Sequence, residues 1–256
     1  MRCHARLQEP GRHGYPDRMK KLQLFAVAAV VMPWTLAGPS EIGAEGSDER
    51  RRQAMGLTGI VGLWTAVNDG GPALQIDGAK WSGTTDPAQA RSLGQALFGS
   101  ASDTFVANVT AAGAFPIAVS RDVASFTGGT LRVQFRMVAG ESDQTAGVVF
   151  NLQPSGEYFF LRYNTKDGNL ALWAYRDGQR ARVKDGESHA QLPMKVWHAL
   201  TVTIAGTRVT AAIPAAKLSF EHTLDRPVSG RVGLWTKRDS VTTFREFAAS
   251  ATPRIP

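Results

Sequence analysis

The sequence predicts an all-β fold, an antiparallel sandwich or barrel, and three observations lead to this prediction. Short segments alternate hydrophobic and polar residues with a period of two, turn signals separate them, and no helical segments alternate with them. Such a pattern argues against a parallel sheet built from strand–helix–strand units. The composition of the 256 residues agrees, because 43% hydrophobic and 20% charged residues are ordinary globular values that exclude global disorder.

The clearest strands lie at 131–137 and 196–204, where every second residue is hydrophobic. Since side chains on a strand point alternately to opposite faces, each of these strands has one buried face. Asp-Gly pairs such as Asp167-Gly168 suit the tight turns of hairpins. A helical turn or two is predicted only within 86–98. Further strands are predicted at 64–68, 74–81, 115–120, 145–152, 157–164, 169–175, 178–183, 207–213, 230–237 and 241–248.

The N-terminal segment has the layout of a secretory signal peptide. Two lysines precede about a dozen mostly hydrophobic residues, and small residues follow. A membrane-spanning helix needs about 20 hydrophobic residues, and Pro33 ends this stretch earlier. We therefore expect an exported bacterial protein, periplasmic or extracellular, with no membrane span after cleavage. The predicted organisation is a mis-assigned leader at 1–18, a signal peptide at 19–37, a polar linker at 38–58 and one domain at 59–250, with translation starting at Met1 or Met19.

Charge and cysteine content argue against two further classes of function. The formal net charge is +7, but residues 1–38 contribute +4 of it, so the mature chain carries only +3 with interleaved acids. This balance argues against a nucleic-acid partner. The single cysteine, Cys3, precedes the signal peptide, so the mature chain has no thiol for a disulfide or for catalysis.

Six segments of the chain carry a shared pattern: residues 143–150, 157–164, 169–170, 178–180, 196–200 and 230–244. Together they resemble the concanavalin A-like (laminin-G-like) jelly-roll domains of exported bacterial proteins, nearest the group labelled 3-keto-disaccharide hydrolase domains. The resemblance implies two antiparallel sheets, one of them concave, with carbohydrate as the usual ligand. Two positions depart from the family pattern: Asn151 stands where members often carry arginine, and Arg245 where they often carry an acid. The resemblance spans about 60–248.

The strand at 157–164 supplies the first candidate sugar-binding residues. Its wholly hydrophobic face is expected in the core, which leaves Arg162 and Asn164 on the other face beside aromatic rings. Rings stack on the C–H face of a sugar, while guanidinium and amide groups bind its hydroxyls. The alternative for Arg162 is a structural ion pair on the sheet. The full candidate set is Asn151, Tyr158, Arg162, Asn164, Trp235, Lys237 and Asp239.

Two further features of this set have alternatives. Trp235 and Lys237 share a face of their strand. Either Trp235 stacks on a sugar and Lys237 donates to its hydroxyls, or Trp235 is a core residue and Lys237 lies at the rim. Asp239 follows in a turn, where capping of loop amides competes with ligand binding. Trp173 and Tyr175 also share a face, and they either extend the aromatic platform or pack under a loop.

No catalytic pattern is present in the sequence. The glucanase motif Glu-x-Asp-x-x-Glu has only a partial match, which begins at Glu141 and Asp143, because Ala146 stands in place of the third acidic residue. There is no Gly-x-Ser-x-Gly elbow and no paired histidine or cysteine metal motif. His198 is in register with hydrophobic neighbours and is expected in the core. We predict no catalytic residue, no metal ligand and no cofactor, and a structural calcium held by loop oxygens stays open because it has no sequence signature.

Three functions remain after this reading. The first is an exported, non-catalytic, lectin-like domain that binds a glycan on the concave sheet. The second is a glycoside hydrolase-like enzyme acting on a disaccharide, which would pair Asp239 with Glu157 or Glu141. The third is a structural or adhesion module. The ligand's identity, any hydrolytic activity and the oligomeric state, monomer or otherwise, stay open.

Overall fold

The structure, a computed structural model, describes residues 56–80, 85–111 and 115–251. The predicted leader, the predicted signal peptide and most of the predicted linker lie outside the described residues. The first strand begins at Leu57, two residues before the predicted start of the domain. No helix among the described residues is long and hydrophobic enough to cross a membrane.

Two antiparallel seven-stranded sheets form the fold, so the predicted two-sheet sandwich is confirmed. Sheet A has the strand order β1-β4-β13-β6-β7-β8-β9, and sheet B has the order β12-β11-β10-β5-β14-β3-β2. The strands are β1 (Leu57–Val61), β2 (Trp64–Asn68), β3 (Pro72–Asp77), β4 (Ile117–Ser120), β5 (Gly129–Ala139), β6 (Thr145–Leu152), β7 (Tyr158–Asn164), β8 (Asn169–Arg176), β9 (Gln179–Asp185), β10 (His198–Ala205), β11 (Arg208–Ile213), β12 (Leu218–Thr223), β13 (Arg231–Trp235) and β14 (Val241–Ala251).

Every predicted strand has a counterpart, and two strands that were not predicted lie at sheet edges. β1 is at one edge of sheet A, and β12 is at one edge of sheet B. An edge strand pairs on one side only and carries fewer hydrophobic residues, so its periodicity is weak. β12 reads LSFEHT, and β1 contains a glycine.

Two helices join the sheets, where only a helical turn or two was expected. Helix α1 (Pro87–Phe98) is capped at its start by the Asp86 carboxylate, which accepts the Ala88 amide at 2.9 Å, and at its end by left-handed Gly99. Helix α2 (Asp103–Ala111) was not predicted. Its first turn is capped by the Ser102 hydroxyl, which accepts the Phe105 amide at 3.0 Å.

The hydrophobic core has two layers. The larger layer lies between the two sheets and contains His198 at its margin, where the imidazole Nε2 lies 3.0 Å from the Pro193 carbonyl. The second layer lies on the outer face of sheet A, where Phe105, Val106 and Val109 of α2 pack against the sheet. The helices therefore cover part of this outer face, and among the described residues Arg180 and Arg182 of β9 are exposed on the same face.

Candidate functional site

Strand register places Arg162 and Trp235 in one row on the outer face of sheet A. Arg162 on β7 pairs with Gly147 on β6, and Gly147 pairs with Trp235 on β13. Gly147 has no side chain, so nothing projects between Arg162 and Trp235 in this row. A Cβ added at Gly147 would lie only 2.5 Å from the Leu161 carbonyl oxygen. Arg162 and Trp235 therefore lie in one sheet.

The aromatic residues expected to stack on a sugar are buried. Trp235 has 0% exposed surface and Tyr158 has 3%. The Trp235 ring stacks on Phe160 with centroids 4.0 Å apart and on Phe115 at 5.6 Å. Neither Trp235 nor Tyr158 offers a ring face to a ligand, so the expected stacking role is corrected to packing. The physical reason is the cover that the helices and Phe115 provide.

Tyr175 packs in the same way beneath helix α2. Its hydroxyl donates to the Asn108 carbonyl at 3.2 Å, and its ring stacks on Tyr158 at 4.9 Å. Burial raises the pKa of Tyr175 to about 12. Burial also raises the pKa of Tyr158 well above its ordinary value, with a further contribution from Tyr175 and an opposing one from Trp235. Both phenols therefore stay protonated at neutral pH and neither can act as a base.

Arg162 forms the structural ion pair that the sequence left open as an alternative. The side chain is 7% exposed and donates to the Asp167 carboxylate at 2.7 Å and to the Asn169 amide oxygen at 3.0 Å. Burial lowers the pKa of Arg162, and Asp167 opposes this shift. Asn164 joins the network, because its amide donates to Asp143 and to Asp167 at 3.3 Å each.

The turn after β13 contributes the remaining predicted residues of this region. Lys237 donates to the Asp143 carboxylate at 2.9 Å, and the Arg238 guanidinium lies 3.7 Å from the same carboxylate. Asp239 accepts the backbone amides of Glu141, Ser142 and Asp143 at 2.7, 2.8 and 3.0 Å. Burial raises the pKa of Asp239, but the backbone hydrogen bonds together lower it by more, so the net shift is downward. Asp239 therefore caps loop amides.

Asn151 lies apart from the other predicted residues. It adopts a left-handed conformation with φ 56° in β6, and its side-chain oxygen accepts the Ser229 amide at 2.8 Å and the Gln153 side chain at 2.7 Å. Asn151 and Glu157 border a recess of about 390 Å³.

The carboxylates of Glu157 and Asp239 lie near opposite ends of β7. Glu157 directly precedes this strand, whereas Asp239 accepts the amide of Asp143, which contacts Asn164 at the end of the strand. A strand of seven residues spans about 23 Å. The proposed Asp239–Glu157 catalytic pair is therefore too widely separated.

The outer face of sheet A, at strands β8 and β9, contains a tryptophan–arginine cluster that the sequence analysis did not assign. The guanidinium carbons of Arg180 and Arg182, both on β9, lie 4.8 Å from the centroid of the Trp173 ring, and that of Arg162 lies at 5.9 Å. Arg180 also lies 5.4 Å from the Phe115 ring. The available signal was the alternation of Arg180 and Arg182 with alanine on a strand beside Trp173. We call this region the Trp173 surface: Trp173, Arg162, Arg180, Arg182, Lys237 and Arg238.

A separate groove follows the open side of the sandwich. It has a volume of about 790 Å³ and is lined by residues 184–188, at the end of β9 and after it, and by residues 210–211 and 219–223 of sheet B. Phe220, which lines it, is buried. The lining of this groove contains no arginine, whereas the Trp173 surface has the exposed Arg180 and Arg182. Within the described part of the chain, no three histidine, cysteine or acidic side chains converge as a metal-binding group.

No protein-family model matches the chain, and no curated protein sequence matches it. Among solved structures, the chain is similar to carbohydrate-binding module CBM66 from Bacillus subtilis, with a TM-score of 0.53, 12% identity, and coverage of 75% of this chain and 94% of the module. A protein of unknown function with a galectin-like fold, also from Bacillus subtilis, has a TM-score of 0.41, 14% identity, and coverage of 52% and 76%. At these identities the similarity to the module supports the predicted jelly-roll class of sandwich and says nothing of residues.

Proposed function

We propose that the protein is an exported, non-catalytic carbohydrate-binding module and that the Trp173 surface binds the glycan. One observation carries the proposal. The guanidinium groups of two exposed arginines, Arg180 and Arg182, lie at 4.8 Å from one indole ring, that of Trp173. The ring restrains both planar groups, so that their N–H donors remain available for sugar hydroxyls at a small entropic cost.

The carboxylates of this region favour binding over hydrolysis. Asp143 accepts from Lys237, Asp167 accepts from Arg162, Asp185 pairs with Arg182 at 2.6 Å, and Asp239 accepts three amides. A glycoside hydrolase needs one carboxyl group that donates a proton and a second that acts as base or nucleophile. Carboxylates engaged in ion pairs and amide hydrogen bonds are poorly suited to either role. The fold shared with a carbohydrate-binding module supports the same proposal.

The experiment is a glycan array followed by titration calorimetry on the mature chain and two variants. Arg182→Ala removes a guanidinium from the Trp173 surface, and Arg208→Ala is its matched control. Both arginines are exposed and ion-paired, Arg182 with Asp185 at 2.6 Å and Arg208 with Glu221 at 2.7 Å on sheet B. We expect a weak glycan ligand, an affinity at least about tenfold lower for Arg182→Ala, from the loss of charged hydrogen bonds, and no change for Arg208→Ala.

Two results would contradict the proposal. One is a complete array without a bound glycan, and the other is equal affinity of the two variants for the glycan found. Release of new reducing ends from that glycan by the wild-type chain would favour the hydrolase instead. Export is tested separately by expression in a bacterial host, where we expect the mature chain to begin at Gly38.

A further inference from the structure

The ion pairs of the Trp173 surface leave one cation without a carboxylate. Arg162 has Asp167, and Arg182 has Asp185. Lys237 and Arg238 share the single carboxylate of Asp143. Arg180 contacts no carboxylate within the described residues, and its partners there are the Trp173 and Phe115 rings. Among the described residues, Arg180 therefore contacts aromatic rings and no carboxylate.

The neighbours of Arg180 increase this imbalance. Burial lowers the pKa of Arg180, and Arg238 and Arg182 lower it further by repulsion, while Asp143 opposes them. Ring contacts lead from Arg180 to Phe115 at 5.4 Å and from Phe115 to Trp235 at 5.6 Å, and Arg238 follows three residues after Trp235. Two like charges held near each other by the fold attract an anion that can lie between them.

Arg238 is held in place by its turn. It adopts a left-handed conformation with φ 49°, and the next residue, Asp239, is fixed by three amides of the loop from Glu141 to Asp143. Its side chain is 55% exposed. Arg180 lies on β9, where the Trp173 and Phe115 rings contact its guanidinium group. The two guanidinium groups are therefore carried by separate segments, β9 of sheet A and the turn between β13 and β14.

We propose that the ligand is an acidic carbohydrate and that its carboxylate or sulfate group binds between Arg180 and Arg238. This inference rests on the proposed function, because it names the ligand class of the same surface. A guanidinium fork matches the planar oxygens of a carboxylate and two oxygens of a sulfate ester. The remaining hydroxyls of the sugar would contact Arg182 and Lys237.

The test is titration calorimetry of the mature chain with two pairs of probes. The first pair is trigalacturonate and its methyl ester, which differ in the negative charge of the uronate. The second pair is a carrageenan oligosaccharide and its desulfated form, which separates the sulfate from the carboxylate as the source of the anion. We expect at least one acidic probe to bind about tenfold or more tightly than its neutral counterpart, because charge-assisted hydrogen bonds are the stronger class.

Three variants assign the effect to residues. Arg180→Gln and Arg238→Gln should each remove most of the preference for the acidic probe, and Arg238→Gln, in an exposed turn, guards against a folding defect in the first. Arg245→Gln is the matched control, because Arg245 lies 4.1 Å from the Trp197 ring on sheet B. We expect Arg245→Gln to keep the wild-type preference.

The outcomes separate the inference from the proposed function. Equal affinity for the acid and its ester, with sensitivity to Arg182→Ala, overturns the acidic ligand and leaves glycan binding intact. An acidic preference that survives both Arg180→Gln and Arg238→Gln also overturns the inference, because it would come from the overall charge. A chain that binds no carbohydrate of any kind overturns both.

Discussion

Two tryptophan–arginine clusters lie on the outer faces of opposite sheets, and they differ in how their charges are balanced. On sheet B, Trp197 is half-buried, with the guanidinium carbon of Arg136 at 5.1 Å and that of Arg245 at 4.1 Å. Arg136 forms an ion pair with Asp69, and Arg245 donates twice to the side-chain oxygen of Gln134, at 3.0 and 2.8 Å.

The comparison shows that an arginine on an indole ring does not by itself make a binding site. We call the sheet B cluster, Trp197 with Arg136, Arg245 and Gln134, the Trp197 surface. Its arginines have acceptors from their own fold, whereas Arg180 on sheet A has none within the described residues. The Trp173 ring is 8% exposed and parallel to Phe160, so it belongs to the packing as well as to the surface. The same contact therefore supports stability on sheet B and leaves an unbalanced charge on sheet A.

The largest expected difference is between the two tryptophans. Trp173→Ala should lower the free energy of unfolding by about 3–4 kcal/mol, because it leaves a cavity against Phe160. Trp197→Ala should cost about 1 kcal/mol, since a half-buried ring loses less contact. Urea unfolding followed by circular dichroism measures both. Equal losses would show that the two clusters are energetically alike and would break the comparison.

Next in size is the buried arginine. Arg162→Met should cost about 2 kcal/mol, because the buried Asn169 and the half-exposed Asp167 carboxylate lose their charged donor. On sheet B, Arg136→Met should cost about 1 kcal/mol, since the Arg136 side chain is 28% exposed against 7% for Arg162 and its ion pair is more strongly screened by solvent. The same urea titrations apply. An Arg162→Met variant as stable as the wild type would show that the network around Asp167 is dispensable.

Asp239 sharpens the comparison through pH, since it holds the loop beside Arg238. Asp239→Ala should cost about 2 kcal/mol at pH 7, because three amides lose a charged acceptor. The pKa of Asp239 is lowered by folding from its ordinary value of 3.8, so its stabilisation is complete above that value and is lost as pH falls through the folded pKa.

The measurement is urea unfolding of the wild type and Asp239→Ala from neutral pH down to acid. The gap between them should be constant near neutrality and should close as the wild type is protonated. Asp103→Ala, whose carboxylate is almost fully exposed, is the control and should show little effect. A gap that stays constant into strong acid would contradict the role of the carboxylate.

The smallest expected difference is between Arg180 on the Trp173 surface and Arg245 on the Trp197 surface. Arg180→Gln should change stability by less than about 0.5 kcal/mol, because loss of the ring contacts is offset by relief of repulsion from Arg238. Arg245→Gln should cost about 1 kcal/mol, since it breaks hydrogen bonds to Gln134. Added sodium chloride screens the repulsion between Arg180 and Arg238 in the wild type. At higher salt the free energy of unfolding of the wild type should therefore exceed that of Arg180→Gln.

Twelve of the fourteen strands among the described residues could be predicted from the sequence, whereas α2 could not. Alternation with a period of two is strong at 131–137, where one face is buried in the sandwich. Helix α2 contains Thr104, Val106 and Val109, which have low helix propensity, and it is stabilised by burial of its hydrophobic face on sheet A. Contacts between residues distant in sequence leave no local periodic signal.

The candidate site was predicted in part. Alternation correctly placed Arg162 and Asn164 on one face of β7, and the structure brings them together with Lys237 and Asp239. It could not show that Trp235 would be covered or that Asn151 would lie at the opposite end. Cover depends on which other segments pack over a face, and Phe115 and α2 come from a different part of the chain.

The sequence by itself determined the class of fold, most of the strands and which side chains of a strand share a face, because these follow from local alternation and turn chemistry. The tertiary structure alone decided which of those faces is covered, which arginine meets a carboxylate and which meets only aromatic rings. The physical reason is that burial and ion pairing depend on side chains from distant segments, and their partners are chosen only when the sheets and helices pack.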